Sequence, residues 1–509
     1  CSRLSLSLNK IGCGSAIKIK KLCFFILYCS HLSLSLNKIG CGSEKSKIKT
    51  TFFICLFTHL SLSLNKIGGG SEKSKIKTAF FICLFTRLSL SLQKNTVMQN
   101  TEILSIKNFG PINNAVVRIS KITVMIGEQG AGKSCVAKLY SLFSWLEKAL
   151  MRHVLTERYV TQYSRFRKTY AAYNGINGYF RPDTELRFDG FHYSFVYENE
   201  KLSIIENNQD GNLFNIAKVM YVPAERNVLG SVEHPTRLRE LSDPMMTFLD
   251  EYDKAKNDIK SGYKMPFGEV DFEYDKLNDI PKLKHKNYEI KLSEASSGFQ
   301  SALPLLLVSE NLSNIVRDNS AKAELSDKER KALQKEVNLI LSDNTLSDDV
   351  KMASLRMVSS KYRYSRFVNV VEEMELNLFP DSQKNVLYEL VADAYKLNEN
   401  RLVMTTHSPY VINYLTLSVK AKQLAKRAEG LEDILKRIYD VVPMSGMINA
   451  DDLIIYELHD GTVEQLKDYE GLPSDDNYLN IKLRDTNSVF DDLLEIEEDL
   501  DSYDERKSD

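Results

Sequence analysis

The stretch Gly127-Glu-Gln-Gly-Ala-Gly-Lys133-Ser134 decides the fold of this chain. It follows the short β-rich run Ile122–Ile126 and precedes apolar residues at helical spacing from 134 to 150. Between a strand and a helix, a G-x-x-x-x-G-K-S sequence folds its main-chain N–H groups around phosphate oxygens. The sequence therefore predicts a phosphate-binding loop in an α/β protein.

Each residue type in this loop serves one part of phosphate chemistry. Glycines let the main chain bend closely around an anion. Lys133 is predicted to reach the β- and γ-phosphates of a nucleotide, and the Ser134 hydroxyl to bind Mg²⁺. The predicted cofactors are therefore ATP and Mg²⁺. The predicted nucleotide contacts in the loop are Gly127, Gly130, Gly132, Lys133, Ser134 and Cys135.

Residues 1–97 differ from the rest of the chain in pattern and charge. The phrase Leu-Ser-Leu-Ser-Leu begins at Leu4, Leu32, Leu60 and Leu88, a constant spacing of 28 residues. The segment holds 15 basic and 2 acidic residues, a formal charge of +13, and leaves 52 basic and 66 acidic residues, or −14, in the remainder. Copies this similar are typical of recent DNA duplication rather than of a solenoid. We expect translation to begin at Met98, with 1–97 either spurious upstream translation or disordered.

A targeting or membrane segment is the rival interpretation of residues 1–97. Their longest apolar runs, such as 23–29, are far shorter than the roughly 20 residues that span a bilayer. Seven of the eight cysteines lie in this segment, and only Cys135 lies beyond it. One cysteine in the body favours a reducing compartment, so we expect a cytoplasmic protein without a membrane partner.

From Met98 onward, strand-like and helix-like patterns alternate, which is typical of an α/β protein. The predicted divisions are the first part of an α/β head with the phosphate loop (98–150), an inserted lobe (151–290), a helix with the second part of the head (291–416), and a C-terminal helix, hairpin and acidic tail (417–509). Hairpins are predicted at Phe109-Gly-Pro-Ile112 and at Asp460-Gly461. Within the acidic end, Phe490, Leu493, Leu494 and Ile496 predict one docked amphipathic turn.

Two carboxylates follow the apolar run 367–371, which is typical of a buried strand. Hydrolysis of ATP needs one acid to hold Mg²⁺ and a second to deprotonate the attacking water. By position, Glu372 is the predicted Mg²⁺ acid and Glu373 the predicted base. Two acids after a strand are also common at solvated strand ends, so the pair alone does not decide the function.

The segment Glu372-Glu-Met-Glu-Leu-Asn-Leu-Phe-Pro380 resembles the Glu-Glu-Pro-Glu segment of ABC-type ATPases of the overcoming-lysogenization-defect (OLD) kind, a group that includes the SMC, Rad and RecF heads. Met374 replaces the usual proline. Farther on, Leu402-Val-Met-Thr-Thr-His407-Ser-Pro409 resembles the switch-histidine motif of that group. The resemblance implies that His407 contacts the γ-phosphate and the attacking water, whereas a lone histidine is more often structural.

Two further segments resemble that group. Leu292-Ser-Glu-Ala-Ser296-Ser297-Gly298 is similar to the ABC signature loop, which implies that Ser297 (or Ser296) and Gly298 contact the nucleotide held by a second subunit. A plain serine N-cap is the alternative. Tyr221-Val-Pro-Ala-Glu-Arg226 also resembles a segment of the group, and leaves open whether Arg226 faces the nucleotide or holds the lobe.

The resemblance implies an ABC-type ATPase head with an inserted helical lobe and without a Toprim nuclease domain. It implies a homodimer, or a higher homo-oligomer, in which two heads sandwich ATP. The most favoured setting is bacterial phage defence, with a separately encoded effector such as a nuclease or toxin. The alternative is a repair or recombination ATPase that acts directly on DNA. Arginines alternating with tyrosines over 152–181 suit a nucleic-acid groove, although a solvated helix face is the favoured interpretation.

Overall fold

The computed structural model describes residues 101–508, apart from 208–214, 239, 260–261, 319–324, 344, 348–349, 353, 356–357 and 359–361. By its internal contacts the chain divides into two units, Cys1–Val97 and Met98–Asp509. All elements described below belong to the second unit. The predictions for residues 1–97 and for a start at Met98 lie outside the described residues.

The strands and helices alternate along the chain, as the sequence predicts. The strands are β1 (Glu102–Phe109), β2 (Ile112–Ile119), β3 (Ile122–Gly127), β4 (Phe180–Asp189), β5 (Tyr193–Glu198), β6 (Lys201–Glu206), β7 (Ala217–Val222), β8 (Tyr263–Lys264), β9 (Asp271–Asp275), β10 (Ile280–His285), β11 (Tyr288–Lys291), β12 (Arg366–Val371), β13 (Arg401–Thr405), β14 (Leu453–His459), β15 (Thr462–Gln465), β16 (Asp468–Tyr469) and β17 (Leu472–Pro473). The helices are α1 (Lys133–Met151), α2 (Glu157–Val160), α3 (Asn227–Ser231), α4 (Asp243–Asp258), α5 (Ser297–Arg317), α6 (Asp327–Ser342), α7 (Pro380–Tyr395), α8 (Pro409–Arg427), α9 (Glu432–Val441) and α10 (Tyr478–Ser508).

An eleven-stranded sheet in the order β6-β5-β4-β1-β2-β15-β14-β3-β13-β12-β7 forms the central layer of the described residues. From β14 to β7 all neighbouring strands are parallel. Every residue of β3 and of β12 is buried, as expected for parallel strands covered on both faces. The fold is therefore α/β, and the sequence prediction of buried strands at 122–126 and 367–371 is confirmed.

The two faces of the parallel strands pack into different hydrophobic cores. In β3, the side chains of Ile122, Val124 and Ile126 enter one core, which α4, α5, α7 and α8 cover. Met125 points into the other core, which includes α1 and the antiparallel strands. Alternation of this kind follows from the two-residue period of a strand. It holds the phosphate loop, which follows β3, between two packed layers.

The remainder of the sheet is mostly antiparallel, and both predicted hairpins are confirmed. Strands β1 and β2 pair across the turn at Gly110, with Phe109 opposite Ile112. Strands β14 and β15 pair across Asp460-Gly461, with His459 opposite Thr462. The main-chain N–H of Asn113 donates to the carbonyl of Gly461 at 2.8 Å, so the tips of the two hairpins are joined.

The range 151–290, predicted as an inserted lobe, contains strands as well as helices. Strands β4, β5 and β6 extend the large sheet beyond β1. Strands β8 to β11 form a separate four-stranded sheet. The helical part is mainly α4, which packs against α5. In β4, Thr184, Leu186 and Phe188 face inward between exposed polar residues. The sequence of this strand is therefore mostly polar and does not stand out as a strand.

The prediction of a docked turn near the C-terminus was wrong. Residues 478–508 form one continuous helix, α10. Phe490, Leu493, Leu494 and Ile496 are between 40% and 61% exposed. Only the start of α10 is held: the Tyr478 N–H donates to Glu457 Oε1 at 2.7 Å, and Leu479 packs on the core. No described element of this chain covers the rest of the helix, so its apolar residues remain in solvent.

Candidate functional site

The phosphate loop has a shape that only glycine accommodates at two positions. Gly127 and Gly132 adopt φ values of 144° and 106°. A Cβ on Gly127 would collide with the carbonyl of Leu458, and one on Gly132 would lie 2.7 Å from Ile112 Cγ1. Gly130 also has a positive φ, of 78°. Because α1 begins at Lys133 with no side-chain cap, its first N–H groups remain available to an anion.

Lys133 lies over the loop that precedes it. Its Nζ donates hydrogen bonds to the carbonyls of Gly127 and Glu128 at 2.8 and 2.7 Å. Burial lowers the pKa of Lys133 to about 8, and the charges of Glu373, Glu375 and Glu372 oppose that shift. These three carboxylates are therefore close enough to Lys133 to act on its charge.

The two residues after Lys133 face in different directions. Ser134 is exposed at the second position of α1, where its hydroxyl can reach a ligand of the loop. Cys135 is only 5% exposed and packs into the core beneath α1. Burial raises the pKa of its thiol to about 11. A contact of Cys135 with nucleotide would thus have to come from its main chain.

The predicted acid pair follows the buried strand β12. Glu372 is 6% exposed. Its Oε1 has no partner at hydrogen-bonding distance among the described residues, while the Tyr221 hydroxyl interacts with the carboxylate. A buried carboxylate oxygen without a partner is costly, unless a cation binds it. Glu373 has a φ of 44°, a left-handed conformation that costs a non-glycine residue roughly 1–2 kcal/mol. Its N–H donates to Thr405 Oγ1 at 3.1 Å.

Arg226 binds the main-chain carbonyls of the acid pair. Its side chain is fully buried. The guanidinium donates to the carbonyls of Glu372 and Glu373 at 2.6 and 2.7 Å. It also donates to the carbonyls of Pro223, at 3.2 Å, and of Ser301 in α5, at 3.3 Å. Of the two roles that the sequence left open, the contacts match the structural one, because Arg226 joins the acid pair to α5.

His407 follows β13 and lies beside Glu373. The distance from His407 Nε2 to Glu373 Oε1 is 3.9 Å. Burial lowers the pKa of His407 and the charge of Lys133 lowers it further, while Glu373 opposes both. The lowered pKa favours the neutral imidazole at pH 7, in which one ring nitrogen can accept a proton or a hydrogen bond.

Glu375 is a site residue that the sequence argument did not single out. Its Oε1 accepts the main-chain N–H of His407 at 2.6 Å. Its Oε2 is buried without a hydrogen-bond partner among the described residues. Burial raises the pKa of this carboxyl, against the hydrogen bond from His407. The only sequence signal was its place as the last acid of Glu372-Glu-Met-Glu375.

Strand order explains why these groups meet. In the sheet β13 lies between β3 and β12, and all three run parallel. The phosphate loop, His407 and the acid pair each follow the carboxyl end of one of these strands. Ligands of open α/β sheets bind at such ends. The predicted residues Lys133, Glu372, Glu373 and His407 are thus brought to one edge of the sheet.

The predicted signature residues stand at the start of α5. Ser296 is the N-cap of α5, but its side chain makes no capping hydrogen bond. Ser296 and Ser297 are exposed. A Cβ on Gly298 would lie 2.9 Å from the carbonyl of Asn377, so the loop packs closely on the segment after the acid pair. Among the described contacts, none joins Ser297 or Gly298 to Lys133, the acid pair or His407 of the same chain.

The predicted arginine–tyrosine patch is partly buried. Arg152 is fully buried, and it donates to Glu329 Oε1 at 2.6 Å and to the Tyr362 carbonyl at 3.0 Å. Tyr163 remains 73% exposed, and a shallow depression there is also lined by Arg167 and Lys168. Apart from Arg152 and Tyr170, the arginines and tyrosines of the patch are exposed or half-buried. None of the described helices is long and apolar enough to cross a membrane.

Comparisons with known proteins find only remote likenesses. No protein-family model and no curated protein matches the chain. Among solved structures, the SMC head domain from Thermotoga maritima matches at 8% identity and a TM-score of 0.29, covering 73% of this chain and 99% of its own. An ATP-binding cassette from an ABC transporter matches at 14% and 0.20, covering 73% and 93%. The recombination mediator RecF matches at 10% and 0.22, covering 72% and 99%.

At such identities and TM-scores these likenesses carry no argument about activity. The chain's own elements define its class. A glycine-rich loop joins a buried parallel strand to a helix, and an antiparallel set of strands extends the same sheet. An acid pair and a histidine end the two adjacent strands. This is an α/β fold with a phosphate loop at the carboxyl end of a central parallel strand, as the sequence predicts.

Proposed function

We propose that this chain binds and hydrolyses ATP as an ABC-type ATPase, that it dimerises on ATP, and that it serves as a switch or sensor. The observation that carries the proposal is the meeting of three parallel strand ends. They bring the phosphate loop, the acid pair and His407 to one edge of the sheet.

The site fits ATP with Mg²⁺. The N–H groups at the start of α1 and the Lys133 ammonium would bind the phosphates. The Ser134 hydroxyl is exposed, and the Glu372 Oε1 is buried without a partner, so these two residues would hold Mg²⁺. When bound, the ion neutralises charge on the phosphate oxygens. Hard oxygen ligands of this kind are the ones that Mg²⁺ prefers.

Hydrolysis requires a water molecule placed for attack on the γ-phosphate. Glu373 would accept a proton from that water. His407, whose neutral form is favoured by burial and by Lys133, would contact the water and the γ-phosphate. Arg226 and Thr405 hold the main chain of Glu373. Because the main chain of Glu373 is already fixed, little conformational entropy is lost when its carboxylate is oriented for the reaction.

A second copy would complete the site. The exposed Ser297 and the close-packed Gly298 stand at the N-terminus of α5, where a helix can cap a phosphate. In the proposed dimer, Ser297 and Gly298 of one copy cover the nucleotide bound to Lys133 of the other. Binding of ATP then closes the pair, and hydrolysis reopens it.

ATP turnover tests the catalytic part of this proposal. Glu373→Gln is expected to bind ATP yet hydrolyse it at least about 100-fold more slowly, because the general base is lost. Lys133→Ala should lose binding as well. Glu185→Gln, on the exposed face of β4, is the matched control and should retain full activity. Normal hydrolysis by Glu373→Gln would contradict the assignment of the base.

The proposed setting is the cytoplasm of a bacterium, in phage defence, with a nuclease or toxin effector from a separate gene. Its support is the motif resemblance, and the rival is a repair or recombination ATPase acting on DNA. Arg152 is buried in an ion pair, but most of the arginine–tyrosine patch stays exposed, so its presence does not favour either setting. The two settings differ in their response to bare DNA. In the phage-defence setting, adding single- or double-stranded DNA should leave the ATPase rate unchanged. Strong stimulation of the rate by DNA would favour the repair role.

A further inference from the structure

Helix α10 extends into solvent with an apolar stripe along one side. From 481 to 500 every residue is exposed. Val489, Leu493, Ile496 and Leu500, here called the α10 stripe, are each between 55% and 59% exposed. Their spacing of four, three and four residues places them on one side of the helix, as in a coiled coil. Exposed stripes of this kind mark contact surfaces.

The flanks of the α10 stripe are strongly acidic. Seven acidic residues and no basic residue lie between 485 and 500: Asp485, Asp491, Asp492, Glu495, Glu497, Glu498 and Asp499. In a coiled coil of two α10 helices, Asp485, Asp492 and Asp499 would border the apolar seam with like charges. Pairing of α10 with α10 is therefore unfavourable, and the stripe fits a basic surface.

Helix α8 of the same chain offers such a surface. Its inner face packs in the core, while Leu417 and Leu424, seven residues apart, are 47% and 37% exposed. Lys420, Lys426 and Arg427 are also exposed. The helix carries four basic residues and no acidic one. These exposed groups, here called the α8 face, complement the α10 stripe in both polarity and charge.

The two surfaces do not meet within one chain. The continuous helix α10 leaves residues 481–500 exposed, although it begins close to α8. Strand β17, which ends five residues before α10, packs against α8, and Gln423 Nε2 donates to the Glu470 carbonyl at 2.8 Å. One copy thus carries both halves of a complementary contact on neighbouring parts of its surface. That arrangement suits a reciprocal two-fold interface.

We propose that α10 of one copy docks its acidic apolar stripe on the basic α8 face of a second copy, and the reverse. This contact needs no nucleotide and is separate from the proposed ATP sandwich. It would keep two heads together between rounds of ATP binding. The Lys and Arg stems would cover the Leu and Val side chains, while their charges meet the carboxylates.

Charge exchange tests the pairing in the full chain without nucleotide or Mg²⁺. The unmodified protein should sediment as a dimer at low salt and dissociate more readily as salt rises. Asp492→Lys with Asp499→Lys should raise the dimer dissociation constant at least about tenfold. Lys420→Glu with Arg427→Glu should do the same. Combining the four changes should restore most of the association, because the lysines on α10 then face glutamates on α8 and the two surfaces again carry opposite charge.

The control reverses two acids at a distance from both helices. Glu273→Lys with Glu289→Lys changes exposed residues of the small sheet and alters the net charge by the same amount as the α10 variant. It should leave the dissociation constant unchanged. Circular dichroism checks that each variant is folded. A second variant pair, Leu493→Asp with Leu500→Asp, should also abolish the dimer, whatever the salt concentration.

Two outcomes would overturn the proposal. A chain that is monomeric without nucleotide at low salt would assign the stripe instead to a basic amphipathic helix of another protein. If the variant that carries all four charge substitutions does not regain association, the α8 face is excluded as the partner surface. Neither outcome touches ATP hydrolysis, since the measurement contains no nucleotide. Loss of the proposed ATPase activity would in turn leave the nucleotide-free dimer in place.

Discussion

At the scale of single residues, Arg226 is the side chain whose loss should affect the base most. Glu373 keeps a left-handed main chain while Arg226 binds its carbonyl and that of Glu372. In Arg226→Lys an ammonium cannot span the same carbonyls, so the base should shift. We expect kcat for ATP hydrolysis to fall roughly 10- to 100-fold, with KM changed far less.

The matched control for Arg226 is Arg366. It is also fully buried, but it pairs with Glu102 at 2.7 and 2.8 Å. Arg366→Lys should lower thermal stability while leaving the kcat of the folded protein unchanged. Steady-state kinetics and melting curves separate the two effects. Equal kcat for both variants would show that Arg226 acts only on stability.

The pKa of Lys133 predicts how ATP binding depends on pH. Burial lowers this pKa to about 8 in the free protein, and bound phosphates would raise it. Below pH 8 Lys133 is already charged, so binding changes little there. Above pH 8 the protein must take up a proton to bind, and affinity should fall toward tenfold per pH unit. Calorimetry in buffers of different ionisation enthalpy measures that uptake. In Lys133→Arg the affinity should stay level across this range, because a guanidinium remains charged.

The sequence singled out the candidate ligand-binding residues more readily than the residues that hold them in place. Lys133, Glu372, Glu373 and His407 follow recognisable strand patterns, and all four come together at the sheet edge. Arg226 was left between two roles, and Glu375 was not singled out, because each contacts main-chain groups that are remote in sequence. The Arg226 guanidinium binds carbonyls 146 and 147 residues away, and no local pattern records such a contact.

At the scale of elements, the central parallel strands were predictable, whereas the edge strands β4 to β6 were not. Buried strands such as β12 are uninterrupted apolar runs, which stand out in a sequence. Strand β6 has one face in solvent, so its residues resemble those of a loop. Helix α10 carries an apolar stripe that predicts docking, yet no element among the described residues covers it. A sequence pattern shows that a face is apolar, but not which surface meets it.

The junction between α6 and α1 gives a stability prediction at this scale. Glu329, three residues into the capping box that Ser326 opens, pairs with the buried Arg152 at 2.6 Å. Glu329→Ala removes the carboxylate partner of a buried charge, so unfolding free energy should fall by about 3–5 kcal/mol. Lys331→Ala, on the exposed side of α6, should change it by less than about 0.5 kcal/mol. Urea denaturation measures both.

The same pair predicts acid sensitivity. Burial would raise the pKa of Glu329, but Lys148 and Arg152 together lower it to about 2. Because the folded-state pKa is below that of the unfolded chain, this stabilisation is present above about pH 4.5 and is lost as pH falls toward 2. The difference in stability between the unmodified chain and Glu329→Ala should therefore narrow over that interval. A constant difference would show that the carboxylate charge is not responsible.

At the scale of the whole molecule, the proposed active site is divided between two copies. One chain brings Lys133, the acid pair and His407 together, while Ser297 stands exposed at the start of α5. If Ser297 serves the nucleotide of the other copy, two different inactive chains should rescue each other. Lys133→Ala destroys the chain's own phosphate loop. Ser297→Arg blocks only the surface offered to the partner.

Mixing the two inactive chains tests this division. A mixed dimer has one site with both defects and one site with neither. With random pairing and independent sites, activity should recover to about a quarter of the unmodified level, while each variant alone stays inactive. Because the α8–α10 contact would hold the chains together without ATP, they should be mixed at high salt before dialysis. Subunit exchange must first be verified. If activity then does not recover, Ser297 acts within its own chain and the ATP sandwich has to be abandoned.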